Sequence, residues 1–149
     1  MKPGEQIPSF KLPDQDWNDL SSESLLGEPF VIYFYPKDDT PGCTRQACAF
    51  RDHFGEFQDQ HVRVIGISAD TPEEHRRFKE KHNLPFTLLS DPEKKTHKLF
   101  NVGTNLFGLI PGRVTYVFDA ESKLVHTFSS QMNVERHVKE SLEALSEMG

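Results

Sequence analysis

Cys43 and Cys48 are the only cysteines of the chain, and they stand five positions apart in YFYPKDDTPGCTRQACAF, residues 33–50. A thiolate is a nucleophile, a metal ligand and one half of a disulfide. The pair therefore admits four readings: a metal clip, a structural bridge, two inert buried thiols, or a redox centre. The metal reading is weak. With His53 the spacing is C-x4-C-x4-H, which fits no common zinc pattern and lacks a fourth ligand. The absence of C-x-x-C argues against an ordinary disulfide oxidoreductase.

The neighbouring residues place the first cysteine. Thr40-Pro41 reads as a helix opening, with a capping residue followed by Pro at the first helical position. That predicts a helix over 41–58 with Cys43 as its third residue. Amides of the first turn have no helical partner, and the helix dipole is positive there, so both favour a thiolate. The preceding run PFVIYFYP (29–36) is too short for a typical helix and reads as a strand buried on both faces. Cys43 thus lies at the carboxyl end of a buried strand, where open α/β sheets bind ligands. Cys43, Ala47, Phe50, Phe54 and Phe57 form an apolar stripe at steps of four and three, which should face the sheet. Cys48 lies about 140° round the helix from Cys43, off that stripe.

Separation then constrains the chemistry. Cα atoms five residues apart in an α-helix are about 8.6 Å apart. A disulfide needs less than about 7 Å. The two thiols cannot bridge while the helix is intact, so either they never bond or bonding unwinds its first turns. A structural staple should not break its own helix, whereas a redox switch can alternate between two conformations. On the pair alone, inert and redox readings both remain open.

The elements that must position this segment follow from pattern. A small hairpin or extended arm is predicted over 9–22. Further strands are predicted at 62–69, 86–90, 113–120 and 124–130, the last two as a hairpin around ESK. Helices are predicted at 72–83, 92–102 and 134–145, the last with Val134, Val138, Leu142 and Leu145 on one face. Thr71-Pro72 and Asp91-Pro92 repeat the Thr40-Pro41 opening, and Thr71 with Glu74 matches a capping box. Alternating strands and helices imply a largely parallel sheet covered on both sides, with an antiparallel edge from the terminal hairpin. That is an α/β, thioredoxin-like plan with an N-terminal hairpin extension, in one domain spanning 1–149.

With 149 residues, the chain can bury a substantial core. Its net charge of −6 argues against a nucleic-acid or anionic-membrane surface. No stretch is apolar enough to cross a bilayer, and MKPGEQIPSFKLPDQ lacks the apolar middle of a signal peptide, so a cytoplasmic protein is expected. The seven histidines form no metal-binding pattern and are expected mostly on exposed helix surfaces.

Pro36, Thr40 and Cys43 form P-x-x-x-T-x-x-C, which resembles the active-site signature of the peroxiredoxins. YFYPKDDTPGCTRQAC and FGLIPGRVTYVFD (107–119) are similar to the Q subfamily, the bacterioferritin-comigratory type, and the resemblance covers almost the whole chain. It implies a thiol peroxidase needing no cofactor. Cys43 would be the peroxidatic cysteine, oxidised by hydroperoxide to a sulfenic acid. Thr40 would contact the thiolate and the peroxide oxygens, Pro36 would shield the sulfur from water, and Arg113 would support the developing charge. Gln46 matches the position that helps hold this arginine. Cys48 matches the resolving cysteine, which would close an intramolecular Cys43–Cys48 disulfide recycled by thioredoxin. Because both thiols lie in one chain, a monomer is expected. Phe107, Leu109 and Ile110 are candidates to line the pocket mouth. The rival class is a redox sensor whose Cys43–Cys48 switch changes partner contacts without turnover.

Overall fold

The structure, a computed structural model, describes residues 1–105 and 110–148. A short antiparallel hairpin, β1 (Lys11–Pro13) and β2 (Asp19–Ser21), precedes a 3-10 turn at Ser22–Leu25. There follow β3 (Phe30–Phe34), α1 (Pro41–Asp52), α2 (Phe54–Asp59), β4 (Arg63–Ser68), α3 (Pro72–His82), β5 (Thr87–Ser90) and α4 (Lys95–Leu99). A two-stranded ribbon, β6 (Thr104–Asn105) with β7 (Ile110–Pro111), leads to β8 (Val114–Phe118), β9 (Leu124–Ser129) and α5 (Arg136–Met148).

The central sheet has five strands in the order β5-β4-β3-β8-β9. β3, β4 and β5 run parallel, and β8 and β9 add an antiparallel half. The fold is therefore a mixed-sheet, thioredoxin-like α/β arrangement with its N-terminal hairpin, as the sequence pattern implies.

β3 occupies the middle, and all five of its residues are buried. Its alternation divides the core. Val31, Tyr33 and Tyr35 join the face packed by Ala47, Phe50, Phe57, Phe78, Val138 and Leu145. Phe30, Ile32 and Phe34 join the opposite face, with Phe10, Leu12 and Leu25 of the N-terminal arm and Phe100 after α4. One face is thus covered by long helices and the other chiefly by the arm and a short helix.

The apolar stripe predicted over 41–58, shared between α1 and α2, does face the sheet. Cys43, Ala47, Phe50 and Phe57 are buried, and Phe54 packs beside them. The Phe50 ring stacks on Tyr33, with centroids 4.6 Å apart and planes 17° from parallel. Gly66 of β4 makes room for this arrangement. It sits between Tyr33 and Leu88 in register, and a Cβ there would lie 2.9 Å from Leu88 Cδ2 and 3.0 Å from the Tyr33 ring.

Several local expectations are corrected. The helix predicted over 41–58 is two helices, because His53 leaves helical geometry at φ −102°, ψ 8°. The helix predicted from Pro92 starts instead at Lys95, after Lys94 turns into the left-handed region at φ 58°. Asp91 still serves it, since its carboxylate accepts from the amides of Thr96 and His97 at 3.3 and 2.9 Å. Thr40 occupies the cap position of α1, but its side chain accepts nothing from the first turn. The Thr71–Glu74 capping box is present in full.

Replacing Gly66 with Ala is expected to destabilise the fold by about 1–3 kcal/mol, because the overpacked methyl must displace Leu88 or Tyr33. Gly55→Ala is the control. Nothing lies within 4 Å of its would-be Cβ, and a helical Ala for Gly is neutral or stabilising by about 0.5–1 kcal/mol. Urea unfolding of the two variants checks the contrast, and equal midpoints would refute the account of Gly66.

Candidate active site

Six residues separate the carboxyl end of the central strand β3 from α1. Cys43 is its third residue and is 1% exposed. The amides of Gly42 and Cys43 lie in the first turn, where no carbonyl four residues back belongs to the helix.

Arg113 arrives from a distant part of the chain. It immediately precedes β8, whose Val114 pairs with Phe34 at the end of β3. That antiparallel register delivers Arg113 to the end of the sheet where α1 starts. Its side chain is 5% exposed. Nη2 donates to Cys43 Sγ at 3.4 Å and Nη1 donates to Gln46 Oε1 at 2.5 Å. Gln46, one turn after Cys43, is fully buried.

Among the described residues no carboxylate pairs with Arg113; its recorded partners are an amide oxygen and a sulfur. A buried guanidinium without an anion is costly. A Cys43 thiolate would supply the missing charge at a contact already formed. Arg113 Nε and Gln46 Nε2 are also buried donors without a partner among the described residues.

Gly42 escaped the sequence reading. A Cβ at this position would lie 3.2 Å from Arg113 Nη2. Glycine beside a nucleophile in a helix opening, where it weakens the helix, is the signal that could have flagged it.

The loop between β3 and α1 carries the other expected residues. Pro36 and Thr40 are half-buried, and Thr40 Oγ1 donates to the Lys37 carbonyl at 2.8 Å. Cys43, Gln46 and Arg113 are therefore brought into contact, whereas the Thr40 hydroxyl is engaged within its own loop. Cys48 is half-buried and, like Cys43, a free thiol on intact α1. Phe107 and Leu109, expected at the pocket mouth, lie outside the described residues, as does the side chain of Ile110.

The sequence matches the AhpC/TSA family over residues 3–127. It is 46% identical to the chloroplastic peroxiredoxin Q of Populus jackii over 145 residues, 97% of this chain and 68% of that one. The chloroplastic peroxiredoxin Q of Oryza sativa subsp. japonica is also 46% identical, over 97% of this chain and 67% of its own length. The chain belongs to the AhpC/TSA family as a Q-type peroxiredoxin. Its fold matches peroxidoxin BcpB of Mycobacterium tuberculosis with a TM-score of 0.92 at 34% identity, covering 100% of this chain and 99% of that one. It also matches a bacterioferritin comigratory protein of Xanthomonas campestris, whose structures were determined for insight into its alkyl peroxide reduction activity. That match has a TM-score of 0.86 at 28% identity over 93% of this chain and 91% of the other. As a peroxiredoxin, the protein is a thiol-dependent peroxidase.

The histidines of this peroxiredoxin correct the expectation of exposed helix residues: His75, His97 and His137 are buried. His137, on α5, stands behind Arg113. Its Nε2–H donates to the Ser130 carbonyl at 2.8 Å, so Nδ1 is bare and accepts from Thr115 Oγ1–H at 2.7 Å. Burial pushes its pKa down to about 4, and the Arg113 charge acts in the same direction, outweighing the Ser130 carbonyl and Glu140. The imidazole is neutral beside the buried cation, where a second positive charge would repel it.

This shift has a sign in stability. The unfolded chain takes up the His137 proton near pH 6.5 and the folded chain only near pH 4, so stability falls as the pH drops between those values. Going from pH 7 to pH 5 is expected to remove about 2 kcal/mol through His137. His137→Gln cannot titrate and is expected to lose correspondingly less. Urea unfolding of both proteins at the two pH values measures the difference, and parallel losses would exclude His137 as its source.

Proposed function

We propose that Cys43 is the peroxidatic cysteine, Cys48 the resolving cysteine, and Arg113, Thr40, Pro36 and Gln46 their supporting residues. The observation that carries this reading is the buried Arg113 cation, which touches Cys43 and has no carboxylate partner among the described residues.

The Cys43 thiolate attacks one oxygen of a hydroperoxide. An S–O bond forms as the O–O bond breaks, and the departing hydroxide or alkoxide takes a proton from solvent. The products are water or an alcohol and a Cys43 sulfenic acid. Arg113 and the first-turn amides stabilise charge on the oxygens during this displacement. Thr40 has its proton committed to the Lys37 carbonyl, so its oxygen is left to accept the peroxide O–H. Gln46 anchors Arg113, and Pro36 keeps bulk water from the sulfur.

Resolution follows when the first turns of α1 unwind. The Cys48 thiolate attacks the Cys43 sulfur, an S–S bond forms, and hydroxide leaves to be protonated to water. A dithiol of the thioredoxin type then reduces the bridge to two thiols and is itself oxidised to a disulfide. The cycle closes within one chain and uses no metal or organic cofactor, which supports a monomer working in a reducing compartment such as the cytoplasm.

Cys43→Ser is expected to abolish turnover, and substantial residual peroxidase activity would sink the assignment. With one equivalent of hydrogen peroxide, intact mass should show loss of two hydrogens in the parent. Cys48→Ala should instead gain one oxygen or a trapped sulfenic acid. An oxidised parent without an internal bridge would remove Cys48 from its role. Gly42→Ala is expected to slow the peroxide step roughly three- to tenfold, because displacing Arg113 by a few tenths of an ångström weakens its hold on the sulfur and the oxygens. Stopped-flow rates of Cys43 oxidation read this directly, and a parent-like rate would mean that the close approach is not needed.

A further inference from the structure

Pro36 and Thr40 stand on the loop between β3 and α1, so the conformation of that loop sets where both lie relative to Cys43. The loop is tied down from behind. Asp38 is buried, and its Oδ1 accepts from the Tyr35 hydroxyl at 2.5 Å. Its Oδ2 lies 2.6 Å from Nδ1 of His75, a fully buried residue of α3. Its amide donates to Asp70 Oδ2 at 2.9 Å, and Asp70 Oδ2 also accepts from Ser68 Oγ at 2.6 Å.

The protonation pattern is constrained. His75 Nε2 lies 2.9 Å from the Leu89 carbonyl, which can only accept, so Nε2 carries a hydrogen. One further proton is then shared between Nδ1 and Asp38, and the pair is neutral overall wherever it sits. Burial raises the Asp38 pKa, while the bonds from His75 and Tyr35 oppose the rise. A second tie lies at the surface, where Asp39, in the left-handed region at φ 59°, pairs with Lys81 at 2.9 Å.

Ligand atoms of Asp38, Asp70 and His75 all fall within 4.8 Å of one another. They are engaged by the protein's own amide, hydroxyl and carbonyl groups, which makes the cluster a clamp rather than a vacant ligand set. None of its anchors belongs to α1. His75 is on α3, Ser68 ends β4, Asp70 follows it, and Leu89 is in β5.

We propose that Asp38 and His75 are positioning residues for the peroxide step, clamping the Pro36–Thr40 loop to the sheet and α3 while α1 opens for disulfide formation. The inference rests on the peroxidase reading above. Because the clamp lies outside the unwinding segment, its loss affects the two chemical steps unequally. Oxidation of Cys43 needs Thr40 and Pro36 in place. Closure of the disulfide needs only that α1 release Cys43 to Cys48.

The experiment measures both steps in His75→Leu and Asp38→Asn. Oxidation is followed in the Cys48→Ala background by mass of the trapped sulfenic acid, and closure by stopped flow with both cysteines present. We expect the second-order oxidation rate to fall about tenfold or more while closure stays within about twofold of the parent. His75→Gln keeps an N–H for Asp38 and should recover most of the loss. Folded variants that oxidise at the parent rate, an equal loss in both steps, or failure of both variants to fold would each overturn the proposal. A parent that leaves peroxide untouched sinks the peroxidase reading and this inference with it. A fast parent with an equally fast His75→Leu sinks the inference alone.

Discussion

A buried guanidinium group whose partners, among the described residues, are a thiol sulfur and an amide oxygen is the constraint around which this protein is organised. Its charge is not met by any carboxylate among the described residues, so the site is electrostatically incomplete without an anion at Cys43. Everything nearby serves that arrangement. Gly42 lets the guanidinium approach the helix backbone. Gln46 holds its second nitrogen. His137, kept neutral, adds no competing charge behind it. On the proposed mechanism the same interaction gives the cycle a direction. Oxidation of a Cys43 thiolate to the sulfenic acid would remove the anion beside Arg113, and reduction of the disulfide would restore it.

The sheet supplies the rigidity that such a contact needs. β3 delivers the loop and α1, and β8 delivers Arg113 from 70 residues away. The two strands are hydrogen-bonded neighbours, with Phe34 opposite Val114. The Tyr33–Phe50 stack, set in the space left by Gly66, fixes the far part of α1 on the sheet. The helix is thus held on the sheet near its far end by Phe50, while its first turns are held through Cys43 and Gln46 by Arg113.

What the sequence made legible were local patterns with a physical cause. The buried run of β3, the stripe shared between α1 and α2, the Thr71–Glu74 capping box and the terminal hairpin follow from periodicity and turn chemistry. So does the placement of Cys43 in a first helical turn, and with it the incompatibility between an intact α1 and a disulfide. Arg113 was reached through motif resemblance, because no local pattern connects it to Cys43. His75, His97 and His137 escaped notice for the same reason: each is buried by partners lying 6 to 37 residues away. The early start predicted for the helix at Pro92 failed because Asp91 caps from a distance, across a left-handed turn at Lys94. Thr40 looked like an ordinary cap, but its hydroxyl closes its own loop instead.

The break at His53 bears on how far any rearrangement can spread. Helical order is cooperative, since each residue added extends an existing hydrogen-bonded ladder. Were 41–59 one continuous rod, loosening its start would put the whole rod at risk, including Phe57 and its share of the core. The kink partitions that cooperativity. α2 has its own tether, with the Val62 amide donating back to the Phe57 carbonyl at 2.9 Å. On the proposed mechanism, the segment that comes undone is therefore a self-contained fuse of limited length, and one end of α1 would melt in each turnover while α2 keeps Phe57 in the core.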